Sequence, residues 1–236
     1  DNAGRQAFAT IKRFAETGAS EVVSWCPTCM IQVGETALPV YEEAERAAGF
    51  DMSMMATFLA RHLEDLRGLF RNRVEKRVGL HEHPGSPGVT EAVRNILEAI
   101  PGLEFVDLEQ TRAGYMCNSL AGMPEYRREL HDLQLKAAEA EGVDTLAGIY
   151  HACHRDLCSH ERDWPFEVVN FMELIGEAIG VKQPDIFKRL KKLQDIDEII
   201  AQSQEMISYY ELDVSEVRDV IAKNMVGEQS LPLRGS

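Results

Sequence analysis

"SEVVSWCPTC", residues 20–29, decides the fold. An apolar run centred on Val22 and Val23 reads as a buried strand, and Cys26 and Cys29 stand just past its C-terminal end. Upstream, "RQAFATIKRFAET" (5–17) carries apolar positions at helical spacing, and Gly18 stops that helix. Downstream, helices are expected over about 31–48 and 56–70, the second with a stripe of Leu59, Leu63, Leu66 and Phe70. "KRVGLHEH" (76–83) is the next strand, opening into the Gly/Pro-rich "PGSPG" (84–88) and a helix over 89–100. A strand over 102–109, a loop over 113–123 holding Cys117 and a helix over 125–141 follow. A strand over 142–152 then leads into "CHRDLC", and a short extended piece and a helix lie within 164–180. This alternation predicts an α/β architecture, mainly parallel sheets flanked by helices. Ligand chemistry then belongs beyond the C-terminal strand ends, where all five cysteines and "HEHPGSPG" are expected to fall.

After Pro184 the sequence is charged and amphipathic, without strand or cysteine, and reads as a tail of two or three helices that packs or docks. There is also an internal echo. "GFDMSMMATFLARHLEDL" (49–66) aligns with "PFEVVNFMELIGEAIGV" (165–181), placing Phe50 on Phe166 and Phe58 on Leu174. Each copy follows a strand that ends in cysteines and begins after a glycine turn, Gly18 or Gly142.

The 236 residues suffice for one large domain or two small ones with real cores. A net charge of −14 argues against general nucleic-acid binding, which needs a basic face, and suits docking onto a protein partner. No apolar run reaches the length of a membrane span. Five cysteines, an odd number without an export-signal pattern, fit a reducing, cytoplasmic setting and metal or redox chemistry.

The spacing Cys26-Pro27-Thr28-Cys29 serves a zinc ion, an iron–sulfur cluster or a dithiol equally well, or two small buried side chains. The second group is richer. "YHACHRDLCSHE" (150–161) crowds Cys153, Cys158, His151, His154 and His160 into one stretch, with Cys117 as a third sulfur. Two thiolates with several imidazoles suit zinc. In an extended "HEH" the two imidazoles point to opposite faces, so His81 alone is expected to face the site. No phosphate loop, dinucleotide fingerprint or Gly-x-Ser-x-Gly elbow occurs.

Taken together, "GASEVVSWCPTC", "LHEHPGSPG", "ILEAIPGLEFVDLE", "YMCNSLAGM", "GVDTLAGIYHACHRDLC" and "VVNFMELIGEAIG" resemble the cysteine-rich (CCG) domain family. That family includes the B-type component of heterodisulfide reductase and the iron–sulfur components of glycolate oxidases. Its motif, a Cys-Cys-Gly loop followed by a strand ending in Cys-Pro-x-Cys, generally occurs twice. The resemblance implies residues 1–75 as the C-terminal part of a first CCG-type domain, 76–182 as a second, degenerate one, and 183–236 as the helical tail. The chain starts at Asp1, and the first Cys-Cys pair is expected upstream of it. By the same resemblance Cys26 and Cys29 are closing ligands of the first motif. Cys117 matches the second cysteine of the pair, and Cys153 the first of Cys-x-x-Cys. Met116 and Asn118 replace a cysteine and a glycine, and Asp156 stands at the last cysteine, with Cys158 two residues later.

The resemblance further implies an iron–sulfur cofactor of [4Fe-4S] type, cubane or non-cubane, with zinc as the alternative. Cys26, Cys29, Cys117, Cys153 and Cys158 are the implied cofactor ligands, with His81 and His154 as further metal donors and Cys117 and Cys153 as catalytic positions. The implied protein is a B-type component of a heterodisulfide-reductase-type complex. It would take electrons from flavin-containing or ferredoxin-like subunits and pass them to a disulfide or related sulfur substrate. The competing expectation is a zinc-binding or metal-free domain that helps assemble a larger complex.

Overall fold

The computed structural model describes residues 2–45, 47–82, 87–109, 120 and 122–227. They fall into two units, Asp1–Gly68 with Gly85–Ile96, and Leu69–Pro84 with Leu97–Ser236. The architecture is α/β with parallel sheets and a helical C-terminal segment, as the alternation predicts.

The first unit opens with α1 (Asn2–Glu16), turns at Gly18, whose φ of +69° suits glycine, and enters β1 (Glu21–Ser24). A continuous helical run follows as α2 (Pro27–Cys29), a π-helical stretch Met30–Ala37 and α3 (Leu38–Ala44). In the π-helical stretch Thr36 Oγ1 donates to Ile31 O, five residues back, at 2.9 Å. Next comes β2 (Asp51–Met54), parallel to β1 with Glu21 opposite Asp51 and Ser24 opposite Met54. The sequence pattern does not reveal this strand because "DMSM" is short and half polar; its pairing with β1 and the burial of Ser53 and Met54 make it one. The single helix expected over 56–70 is two, α4 (Met55–Arg61) and α5 (Leu63–Arg67), because His62 leaves helical geometry at φ −104°, ψ 29°. Ile11, Leu38, Ala48 and Phe50 form the core of this unit, with Phe14 edge-on to Phe50.

Next along the chain are β3 (Arg77–His81), α6 (Val89–Ala99), β4 (Glu104–Val106), α7 (Pro124–Ala140) and β5 (Thr145–Gly148). After these come α8 (His151–Leu157), a 3-10 turn at Cys158–Arg162, β6 (Glu167–Asn170) and α9 (Phe171–Ile179). The second unit's sheet is wholly parallel in the order β4-β3-β5-β6, and β3 and β5 are buried almost throughout, as covered parallel strands are. Gly79 lies in β3 where a Cβ would come within 2.9 Å of the Leu108 side chain, so a residue larger than glycine would have to displace that leucine. Leu135, Leu146, Leu157, Trp164, Phe166 and Val168 lie in the core beside the sheet.

Among the described residues the tail has four α-helices, where two or three are expected: α10 (Ile186–Lys191), α11 (Ile196–Gln202), α12 (Gln204–Tyr209) and α13 (Val214–Ile221). Aspartates divide it. The carboxylates of Asp185, Asp195 and Asp213 accept N–H groups from the first turns of α10, α11 and α13 (Lys188, Glu198, and Ser215 with Glu216), each restarting a helix. Ile199, Ile200, Ile207 and Ile221 close its core. Among the described residues no helix is long and apolar enough to cross a membrane.

The internal echo is a repeat of elements. α1 ends at Glu16 and α7 at Ala140; Gly18 and Gly142 both turn at positive φ; β1 begins at Glu21 and β5 at Thr145; α2 begins at Pro27 and α8 at His151. All four pairs are 124 residues apart. From β2 and β6 onward the offset is 116, with Phe50 and Phe166 each one residue before the strand and α4 and α9 directly after it. This register corrects one alignment. Cys29 falls on Cys153, so Cys153 repeats the second cysteine of the pair, and Tyr150 takes the place of Cys26. The reason is helical: Cys26 and Tyr150 are the N-cap residues of α2 and α8, at φ −94°, ψ 118° and φ −112°, ψ 151°.

Candidate metal centre

In the first unit Cys26 ends the turn out of β1, where Ser24 Oγ accepts its N–H at 3.2 Å. As N-cap of the helical run it accepts the N–H of Cys29 on Sγ at 3.4 Å. Burial pushes the Cys26 thiol up, but the hydrogen bonds from Cys29 and Thr28 outweigh it and bring it below the ordinary thiol range. The Cys29 thiol is raised, first because it hydrogen-bonds Cys26. Cys29 is exposed and Cys26 half-buried, so both sulfurs are open to a ligand.

In the second unit the strand order makes a switch point. The chain leaves β3 toward β4 on one side and returns to β5 on the other, and in parallel α/β sheets ligands bind beyond the C-terminal strand ends at such a point. His81 ends β3 opposite Gly148, which ends β5, and a Cβ on Gly148 would sit 3.7 Å from Cys153 Cβ. The structure thus brings His81 and Cys153 to neighbouring strand ends, both buried. Cys117 and His83, with the loops that carry them, lie outside the described residues.

Cys158 is placed differently. Five residues along a helical path rotate it by roughly 140° from Cys153, and it sits fully buried in the core with Leu135, Leu157 and Trp164. Burial pushes its thiol up to about 12. Cys158 is thus turned away from Cys153 and into the core. The stretch "CHRDLC" is helix α8 and the turn after it, not a cysteine-bearing strand end.

His131 is a site neighbour that the sequence does not single out. Buried on α7, it stacks edge-on to His81 with ring centroids 5.8 Å apart. His131, Gln134, Leu135 and Ala138 share the buried stripe of α7; a histidine at a core position of an amphipathic helix is the available signal. His160, also buried, is driven down to about 4, by burial first and then by the nearby His131.

His154 is buried but engaged elsewhere: its Nε2 meets Asp185 Oδ2 at 2.5 Å. Burial acts to raise the Asp185 carboxyl, but hydrogen bonds from His154 and the Lys188 N–H outweigh it and hold it below its usual range. Beside them Glu161 binds Lys188 at 2.9 Å and Lys192 at 2.6 Å.

Residues 82–157, in the second unit's run of strands and helices, match the family model described as the cysteine-rich domain, CCG. More particularly, the chain is similar to the D component of dihydromethanophenazine:CoB–CoM heterodisulfide reductase. It is 27% identical to the Methanosarcina mazei protein over 143 residues, 56% of this chain and 35% of that one. To the Methanosarcina barkeri protein it is 24% identical over 191 residues, 77% of this chain and 46% of that one. The chain spans between about a third and about half of the length of these relatives.

Proposed function

We propose that this chain is part of a heterodisulfide-reductase-type redox component, holding a thiolate-ligated iron–sulfur cluster and passing electrons to a disulfide or related sulfur substrate. The observation that carries the reading is Cys153, at the C-terminal end of β5 and in the same helical position as Cys29. Cys26 and Cys29 suit cluster ligation because they are accessible and Cys26 is biased toward thiolate. In the second unit Cys153 and Cys117 are the proposed thiolates, and they are the positions assigned to substrate sulfur as well. His81 is the neighbouring imidazole donor, which His131 orients by packing against it. Cys158 supports the core instead, and His154 is committed to Asp185.

When bound, such a cluster would supply one-electron transfer at a sulfur-rich centre. The chain's own residues would hold it at the strand ends, beside the buried His81 and Cys153. By likeness to the relatives, electrons come from flavin-containing or ferredoxin-like members of a larger complex, with [4Fe-4S] as the cluster type. A B-type role remains part of this reading, although the relatives found are named as the D component.

The test is iron, zinc and acid-labile sulfide analysis on anaerobically purified protein, with its visible spectrum, for wild type, Cys153→Ser and Cys158→Ala. Iron with sulfide that falls in Cys153→Ser but persists in Cys158→Ala is the expected result. Zinc without sulfide, or no metal, refutes the redox reading in favour of an assembly domain.

A further inference from the structure

We infer that the second unit carries a separate divalent-cation site, built from His154, Glu173 and Asp185. The three come from α8, α9 and the N-cap of α10, and their donor atoms all lie within 4.8 Å of one another. Two donors about 2.1 Å from one metal ion stand at most roughly 4 Å apart, so small side-chain shifts complete the site.

The helix caps aim the carboxylates. Glu173 Oε1 accepts the Asn170 N–H at 2.8 Å in a capping box, and Asp185 Oδ1 accepts the Lys188 N–H at 2.8 Å. With those oxygens fixed, Oε2 of Glu173 and Oδ2 of Asp185 remain for an ion, and Oδ2 already meets His154 Nε2. The imidazole is about nine-tenths buried, so its position is set by packing. Lys188, one of the cations around the cavity that Glu173 and Asp185 line, is itself held by Glu161 at 2.9 Å and by the Val168 carbonyl at 3.0 Å.

A cavity of about 430 Å³, with Glu173 and Asp185 in its wall, gives an ion a route in and room for waters on its open positions. One imidazole nitrogen and two carboxylate oxygens, without sulfur, favour a Mn²⁺, Fe²⁺ or Zn²⁺ ion over a soft one. Two carboxylates and a neutral imidazole balance the charge of a divalent ion.

The repeat separates this site from the cysteine centre. In the first copy Met30 stands at the position of His154 and Thr57 at that of Glu173, and Asp185 comes from the tail, which lies beyond the repeat. The triad belongs to the second copy alone and is independent of the iron–sulfur reading.

Mn²⁺ is the probe, since it avoids thiolates; its uptake by the whole chain is followed by loss of the free-ion EPR signal. About one ion per chain is expected, with binding at least about tenfold weaker in Glu173→Gln and Asp185→Asn. Both amides retain an oxygen that can accept the cap N–H, so the helices persist, which circular dichroism checks. Cys153→Ser is expected to bind Mn²⁺ as wild type does, whatever happens to its iron. No uptake by wild type, uptake that survives both amide changes, or uptake abolished by Cys153→Ser each overturns the site.

Discussion

His160 makes the second unit acid-labile in a defined window. Its imidazole is buried as the neutral form and binds its proton only near pH 4, against an ordinary value of 6.5. In the unfolded chain the same group protonates below about 6.5, so the unfolded state binds the extra proton. The stabilisation is complete above pH 6.5 and is lost as the pH falls toward 4. The slope is about 1.4 kcal/mol per pH unit, and the total is about 3 kcal/mol. Trp164, buried in the core of that unit, reports its unfolding. Urea titrations followed by Trp164 fluorescence in a Trp25→Phe background, at pH 7, 6, 5 and 4.5, measure the slope. His160→Gln removes the proton-binding difference, so its stability should fall with pH less steeply by that amount, whatever the variant costs at pH 7. Equal slopes for the two proteins between pH 6.5 and 4.5 refute the reasoning.

Two further changes probe the frame that holds the site. Gly79→Ala drives a methyl into Leu108 from a central strand and should cost about 1–3 kcal/mol, read as a lower thermal midpoint. Asn170→Ala removes the acceptor that Asn170 Oδ1 offers the Met172 N–H at 3.1 Å and should cost about 1 kcal/mol by urea denaturation.

The frame is legible where chemistry is local. The glycine turns at 18 and 142, the apolar strands at 21–24 and 77–81, and the Phe50–Phe166 alignment all follow from φ preference and periodicity, and each marks an element in the structure. Legibility fails where tertiary contacts decide. β2 is a strand because β1 lies beside it, not because Asp51 or Ser53 favours one. Cys158 has the spacing of a ligand, but the helical path of α8 turns it into the core. His131 and Asp185 reach their partners across 50 and 31 residues of chain, and no local pattern connects such pairs.

The matched backbones of the two copies leave room for a second cysteine pair. Tyr150 stands on the same kind of extended N-cap residue as Cys26, ahead of a helix whose third position is a cysteine in both copies. Tyr150→Cys alone would therefore rebuild the Cys-x-x-Cys pair without moving the main chain. The backbone seat for a second Cys-x-x-Cys pair is therefore already built into the second unit, one side chain short of its occupant.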